Sequence, residues 1–217
     1  MSDIFHEVDE EVRREQLKKL WERYQYYVIA AVVLILVGIS AWRGYEWWEA
    51  KRAGETGAAF EAAVTLSEAG KRAEAAEAFG KIAAEGSSGY RALARLREAA
   101  ELAEQDPKAA IAAYEKITAD RTVGPVLQDL AALRAGQLLV DSVSYEELRQ
   151  PLEPLTASGR PFRHNARELL ALSAWRSGDA AAAKRWSDMV IADAETPASL
   201  RGRIEMLVAL MAAGKQA

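Results

Sequence analysis

Between Arg23 and Arg43 the chain carries no charged side chain at all: every position from Tyr24 to Trp42 is uncharged. More than any other stretch, this run limits the folds open to the molecule. As a helix rising about 1.5 Å per residue it reaches roughly 28 Å, close to the roughly 30 Å hydrocarbon core of a bilayer. Tyr24, Tyr26 and Tyr27 stand at one end and Trp42, Tyr45, Trp47 and Trp48 at the other. Amphipathic rings at both ends of an apolar run favour the headgroup level. A buried core helix rarely needs so long an uncharged stretch bracketed in this way. A cleaved signal peptide would need a short basic start and small residues before its cleavage site. Here a mixed-charge segment, 1–23, precedes the run and Trp42-Arg43 closes it, so the expectation is an uncleaved transmembrane helix over 24–42.

Lysine and arginine near the ends of a span set its orientation. Arg13, Arg14, Lys18, Lys19 and Arg23 lie shortly upstream, against Arg43, Lys51 and Arg52 shortly downstream. This bias places the N-terminus in the cytoplasm and everything after the span outside it; the small margin leaves the opposite orientation open. In residues 1–23, Ile4, Phe5, Val8 and Val12, then Leu17, Leu20, Trp21 and Tyr24, recur at helical spacing. That segment is expected to be a cytoplasmic amphipathic helix, either docking a membrane partner or serving as a stem. Its acidic residues outnumber its basic ones, which makes it a poor polybasic anchor.

Residues 43–69 read as a stem and first repeat helix ending at Gly70, and 70–217 as a helical repeat domain. Pairs of a small or aliphatic residue and a larger one four positions on occur at Ala75/Phe79, Ala110/Tyr114, Leu148/Leu152 and Ala182/Trp186. Each pair follows a turn signal: Gly70-Lys-Arg, Gln105-Asp-Pro107, Asp141 to Ser144, and Ser177-Gly-Asp179. The spacing from pair to pair brackets the period of about 34 residues of tetratricopeptide (TPR) helix-turn-helix units. In such units the small residue lets two helices approach and the bulky one fills the groove against the next unit. Gly136 fits the small position of the third unit's first helix. Other positions depart from the pattern. Arg97 and Glu98 stand where the second unit wants small residues, as though its first helix were one residue out of register. Pro151 and Pro154 should kink or end the third unit's second helix. Placing Gly178 at the fourth turn pairs Ala183 with Ser187 and leaves Trp186 off position. No alternating strand pattern survives beyond a few positions. The fold class expected is therefore all-α, one transmembrane helix followed by a TPR-like solenoid.

The sequence also resembles a known family, the ancillary SecYEG translocon subunit (YfgM-like) proteins of proteobacteria. The resemblance is carried by an acidic start, Glu11-Val-Arg-Arg-Glu-Gln-Leu-Lys-Lys-Leu-Trp-Glu-Arg23, a single span, and Ala41-Trp-Arg-Gly-Tyr-Glu-Trp-Trp48 emerging from it into degenerate repeats. It implies a single-pass protein of the bacterial inner membrane with a periplasmic TPR domain. Its implied partners are the SecYEG translocon and periplasmic chaperones, to which exported chains would be handed. A scaffold for an envelope or cell-division complex, without client binding, is the alternative.

Chemistry is not expected. With no cysteine there is no disulfide, thiolate metal site or cysteine nucleophile, and His6 and His164 lie too far apart for a local metal motif. Each histidine reads as a surface or boundary residue. Phosphate-loop, dinucleotide and nucleophile-elbow motifs are missing, and the carboxylates alternate with Lys and Arg as on solvated helix faces. A formal charge of −4 with no basic cluster speaks against nucleic acid. No cofactor, small-molecule substrate or catalytic residue is expected. First-helix positions Arg95, Gln137, Glu168, Trp175 and Arg176 are the candidate groove lining, with Trp175 and the arginines as peptide or helix contacts. In the plainer reading Trp175 is core and the charges are solvated.

Overall fold

The computed structural model describes residues 3–213, with side chains described at Arg14, Lys18 and from Trp21 onward. The apolar positions Ile4, Phe5, Val8, Val12, Leu17 and Leu20, and His6, lie outside the described side chains. Among the described residues the structure is all-α, with nine α-helices and no strand. They are α1 (Asp3–Glu68), α2 (Arg72–Glu85), α3 (Ser88–Ala103), α4 (Pro107–Ala119), α5 (Pro125–Leu139), α6 (Tyr145–Leu152), α7 (Arg163–Arg176), α8 (Ala180–Ala192) and α9 (Ala198–Ala213). The chain divides into two compact units, Met1–Arg52 and Ala53–Ala217.

The first unit is helix throughout its described length. No proline interrupts α1, and Gly38, Gly44, Gly54 and Gly57 are isolated among good helix formers, each too weak a breaker to stop it. The amphipathic segment, span and stem read separately from the sequence are thus parts of one helix. From Val28 to Trp42 its large apolar side chains are exposed, Leu34 to 74% and Trp42 to 66%. This is the one described helix long and apolar enough to cross a membrane, a property shared by membrane anchors and signal sequences.

In the second unit each turn signal becomes a helix end. Gly70 takes φ of 76°, and Lys71 N–H returns to the Leu66 carbonyl, closing the end of α1. Gly178 does the same after α7, with Asp179 N–H on the Ala174 carbonyl. Asp106 caps α4 by accepting from the backbone of Lys108 and Ala109, with Pro107 in the first turn. Ser144 and Glu147 cap α6 reciprocally. Pro151 and Pro154 act as expected: α6 ends at Leu152 and passes into a 3-10 turn over Glu153–Thr156.

Consecutive helices pack as hairpin neighbours, α2 on α3, α3 on α4, α4 on α5, α7 on α8 and α8 on α9. In addition α3 touches α5, α5 touches α7 and α7 touches α9. This second set of contacts makes a solenoid, because the odd-numbered helices from α3 to α9 form one continuous row on which the even-numbered ones are hung. The paired positions of the period are all buried: Ala75, Phe79, Ala110, Leu148 and Leu152 entirely, with Tyr114, Ala182 and Trp186 close behind. A Cβ on Gly136 would stand 3.0 Å from both methyls of Leu152, so α5 and α6 touch where the period asks for a small residue. In the fourth unit both registers are used. Ala183 and Ser187 are buried along with Trp186, and Ser187 returns its hydroxyl to the Ala183 carbonyl at 2.8 Å.

Candidate interaction groove

Helix α3 turns Ala94 and Ala99 into the core, both fully buried. With those two positions inside, helical geometry carries Leu93, Leu96 and Arg97 onto the face shared with the odd-numbered row. There they line a groove of about 690 Å³ together with Leu130, Arg134, Gln137 and Leu138 of α5. Phe60 of α1 and Tyr114 of α4 contribute to its wall, and Arg72 and Glu104 to its rim. Phe60 is held by aromatic contacts, its ring centroid 5.2 Å from Phe79 and 5.5 Å from Tyr90. Leu93 is 44% exposed, a large apolar side chain left in the open.

Behind the rim is a buried carboxylate. Glu101, 2% exposed, accepts from Arg72 Nη1 at 3.0 Å and from Ser67 Oγ at 2.6 Å. The hydrogen bond and charge of Glu101 push the Arg72 guanidinium above its ordinary pKa, and the bonds of Arg72 and Ser67 to Glu101 tie α1, α2 and α3 together. Burial likewise pushes the Tyr114 phenol up, leaving it neutral in the groove wall.

The structure does not bring the five groove candidates from the sequence into one site. Gln137 lies in the groove and accepts from Arg134 at 3.0 Å. Arg95 instead pairs with Asp120 at 2.6 Å and holds the end of α4. Asp120, also bound by Thr122, is lowered to about 2, with the Thr122 hydroxyl as the largest cause and Arg95 next. Glu168 accepts from Arg203 at 2.5 and 2.8 Å, joining α7 to α9. Arg176 donates to the carbonyls of Asp141, at 3.0 Å, and Val143. Trp175 is 43% exposed, so it is not a core residue. All five lie on α3, α5 and α7, and periodicity alone does not show which of them neighbouring helices claim. Arg97 and Glu98 mark the shifted register of α3, whose small buried residues are Ala94 and Ala99; no single residue in the sequence signals the groove.

His164 also needs correction: it is buried, at 6% exposure, and not a surface or boundary residue. Thr196 spends its one hydroxyl proton on the Val190 carbonyl, 2.7 Å away, so at 3.0 Å it accepts from His164 Nδ1. Beside it, Asp193 Oδ2 accepts from Arg163 Nε and Arg167 Nη1, each at 3.0 Å, and Arg167 also donates to the Thr156 carbonyl at 2.8 and 3.2 Å. Arg163, with a further bond to Glu195, holds Asp193 well below the usual carboxylate range. The cluster fastens the start of α7 to the α8–α9 junction. Its polar atoms are spent on one another, which makes it a structural lock. Among the described residues no three His, Asp or Glu side chains gather as a metal site requires.

No curated protein and no solved structure matches this chain. One family model does, described as a tetratricopeptide repeat-like domain, over residues 18–185. The match takes in the apolar run, both walls of the groove and part of α8; domains of this type are protein–protein interaction modules, and no catalytic family is indicated. With well over half of its length matched and helices α3, α5, α7 and α9 stacked in one row, the chain belongs to the tetratricopeptide repeat-like domain family.

Proposed function

We propose that this protein is a membrane-anchored interaction module of the bacterial inner membrane, working beside the Sec translocon. In this reading the segment from Tyr24 to Trp42 is the anchor, residues 1–23 are cytoplasmic and the repeat domain is periplasmic. The domain receives exported chains and passes them to periplasmic chaperones. The observation that carries the reading is the groove between α3 and α5, where Leu93, Leu96 and Leu130 line one opening and Leu93 is 44% exposed. A surface of that kind is a place for a partner. The excess of Lys and Arg before the span supports the topology. The resemblance of residues 11–48 to translocon-associated proteins supports the partner.

The test is a pull-down from mildly solubilised membranes through a C-terminal tag, with digestion of that tag by external protease in spheroplasts as the topology control. Recovery of SecY, SecE or SecG with a digestible tag is the expected result. A protected tag reverses the topology, and recovery of division or envelope proteins without Sec subunits replaces the translocon reading with a scaffold. Suppression of aggregation of an unfolded client separates those two roles, because a scaffold predicts none.

A further inference from the structure

We propose that the groove between α3 and α5 takes an acidic amphipathic helix from a partner protein, recognised through its charge as well as its apolar face. This deepens, and rests on, the reading of the domain as an interaction module. Arg97 is exposed on α3, between the close-packed Ala94 and Ala99, and no ion pair holds it among the described residues. One helix further along the row, Arg134 is also exposed, and among the described residues its side chain is bonded only to the uncharged amide of Gln137. Arginines at the helix joints are spent differently. Arg72 is matched by Glu101, Arg95 by Asp120, and Arg163 and Arg167 by Asp193.

With Arg72 matched by Glu101, Arg97 and Arg134 face one exposed carboxylate, Glu104, in the groove of a chain whose formal charge is −4. The basic character is therefore local and does not follow from composition. Guanidinium groups over an apolar floor favour a ligand that brings carboxylates beside aliphatic side chains. Leu93 and Leu96, one turn apart on α3, face the same opening as Leu130 of α5, matching the apolar stripe of a helix. The walls are helices whose backbone groups are already used within them, so an extended peptide would find no ladder to join. A helix satisfies its own backbone and needs only side-chain contacts.

The test uses the full chain in nanodiscs, with empty nanodiscs as blank, and fluorescence anisotropy of three labelled helical peptides. One has a leucine stripe flanked by Glu, one replaces each Glu by Gln, and one keeps Glu but replaces the leucines by Ala. The Glu-Leu peptide is expected to bind at least tenfold tighter than either of the others. The double variant R97E/R134E should lose roughly tenfold or more for that peptide and gain affinity for a Lys-flanked version. Both positions are exposed, and an unchanged circular-dichroism melt verifies the fold. Equal binding of the Glu and Gln peptides, unaffected by R97E/R134E but abolished by Leu96→Asp, would overturn the acidic partner and leave an apolar docking groove. Equal binding of the peptide without leucines would reduce the groove to an anion site and overturn the proposal as well. Binding of none of the peptides also overturns it, while the pull-down above decides the interaction reading independently.

Discussion

The two ends of the repeat domain are built from the same hairpins but packed with different material. Around α2 to α5 the buried apolar residues fall into two small clusters of five and six, dominated by Ala63, Ala75 and Ala94 in one and Ala99, Ala110, Ala131 and Ala135 in the other. Around α6 to α9 eighteen buried residues form one cluster, including Leu148, Leu152, Leu170, Trp186 and Ile204. Alanine brings backbones close but supplies no bulk for the space above them. The first half therefore closes at its hairpin seams and stays open along the inner row, where the groove lies. The second half fills its seams with leucine and tryptophan and adds the Arg163–Asp193–Arg167 lock. A partner-binding surface and a stabilising base are in this way assigned to opposite halves of one solenoid, which nearest-neighbour packing permits.

The largest expected effect comes from Phe79, the one fully buried aromatic ring in the first cluster. Phe79→Ala should destabilise by about 3–5 kcal/mol. Hydrogen exchange should show the loss confined to α2 and α3, with α6 to α9 still protected. Uniform loss of protection would mean that the halves fold as one cooperative block and would break the comparison. Gly136→Val tests the seam between α5 and α6, where the new side chain meets the Leu152 methyls. About 1–3 kcal/mol of destabilisation is expected from denaturant unfolding. An unchanged midpoint would show that the seam can give.

A smaller effect is expected from pH, confined to the second half. Burial, reinforced by Arg163 and Arg167 and opposed by Asp193 and Glu195, lowers His164 from 6.5. The folded state binds this proton less readily than the unfolded chain, so the stability of the neutral ring is present above about pH 6.5 and declines as pH falls through that value toward the folded pKa. Asp193, lowered chiefly by Arg163, contributes above the ordinary carboxylate pKa of 3.8 and loses its contribution only as pH falls below it. Thermal melts of the wild type should therefore decline in two windows, and His164→Asn, which keeps a donor near Thr196, should erase the upper one. Persistence of that upper decline in the variant would assign it to another group. The smallest effect belongs to Leu93→Gln in the open groove, within about 0.5 kcal/mol. A larger loss would show that Leu93 supports the fold, and the open-groove half of the comparison would fail.

Helix ends were the most legible feature of the sequence, because Gly70, Asp106-Pro107, Ser144 and Gly178 act through local backbone chemistry. The period was nearly as clear, since a small residue and a bulky one four positions apart must recur wherever hairpins stack. The groove itself was not legible, because Arg97 and Glu98 signal only that the first helix of the second unit is shifted by one residue, with Ala94 and Ala99 buried in its place. Arg95, Glu168 and Arg176 misled because their partners, Asp120, Arg203 and the carbonyls after α5, are supplied by other segments of the chain. His164 misled for the same reason, its partner Thr196 belonging to the segment between α8 and α9.

Everything governed by spacings within a turn or a hairpin is thus written along the chain itself: the all-α class, the uncharged 24–42 run, the breaks between helices and the paired core positions. Which charges are spent on holding helices together, and which are left facing the inner row, emerges only when the helices pack. Ion pairs between helices depend on distances that one helix cannot encode alone. In this domain they match Arg72, Arg95, Arg163, Arg167 and Arg203 and leave Arg97 and Arg134 over an apolar floor.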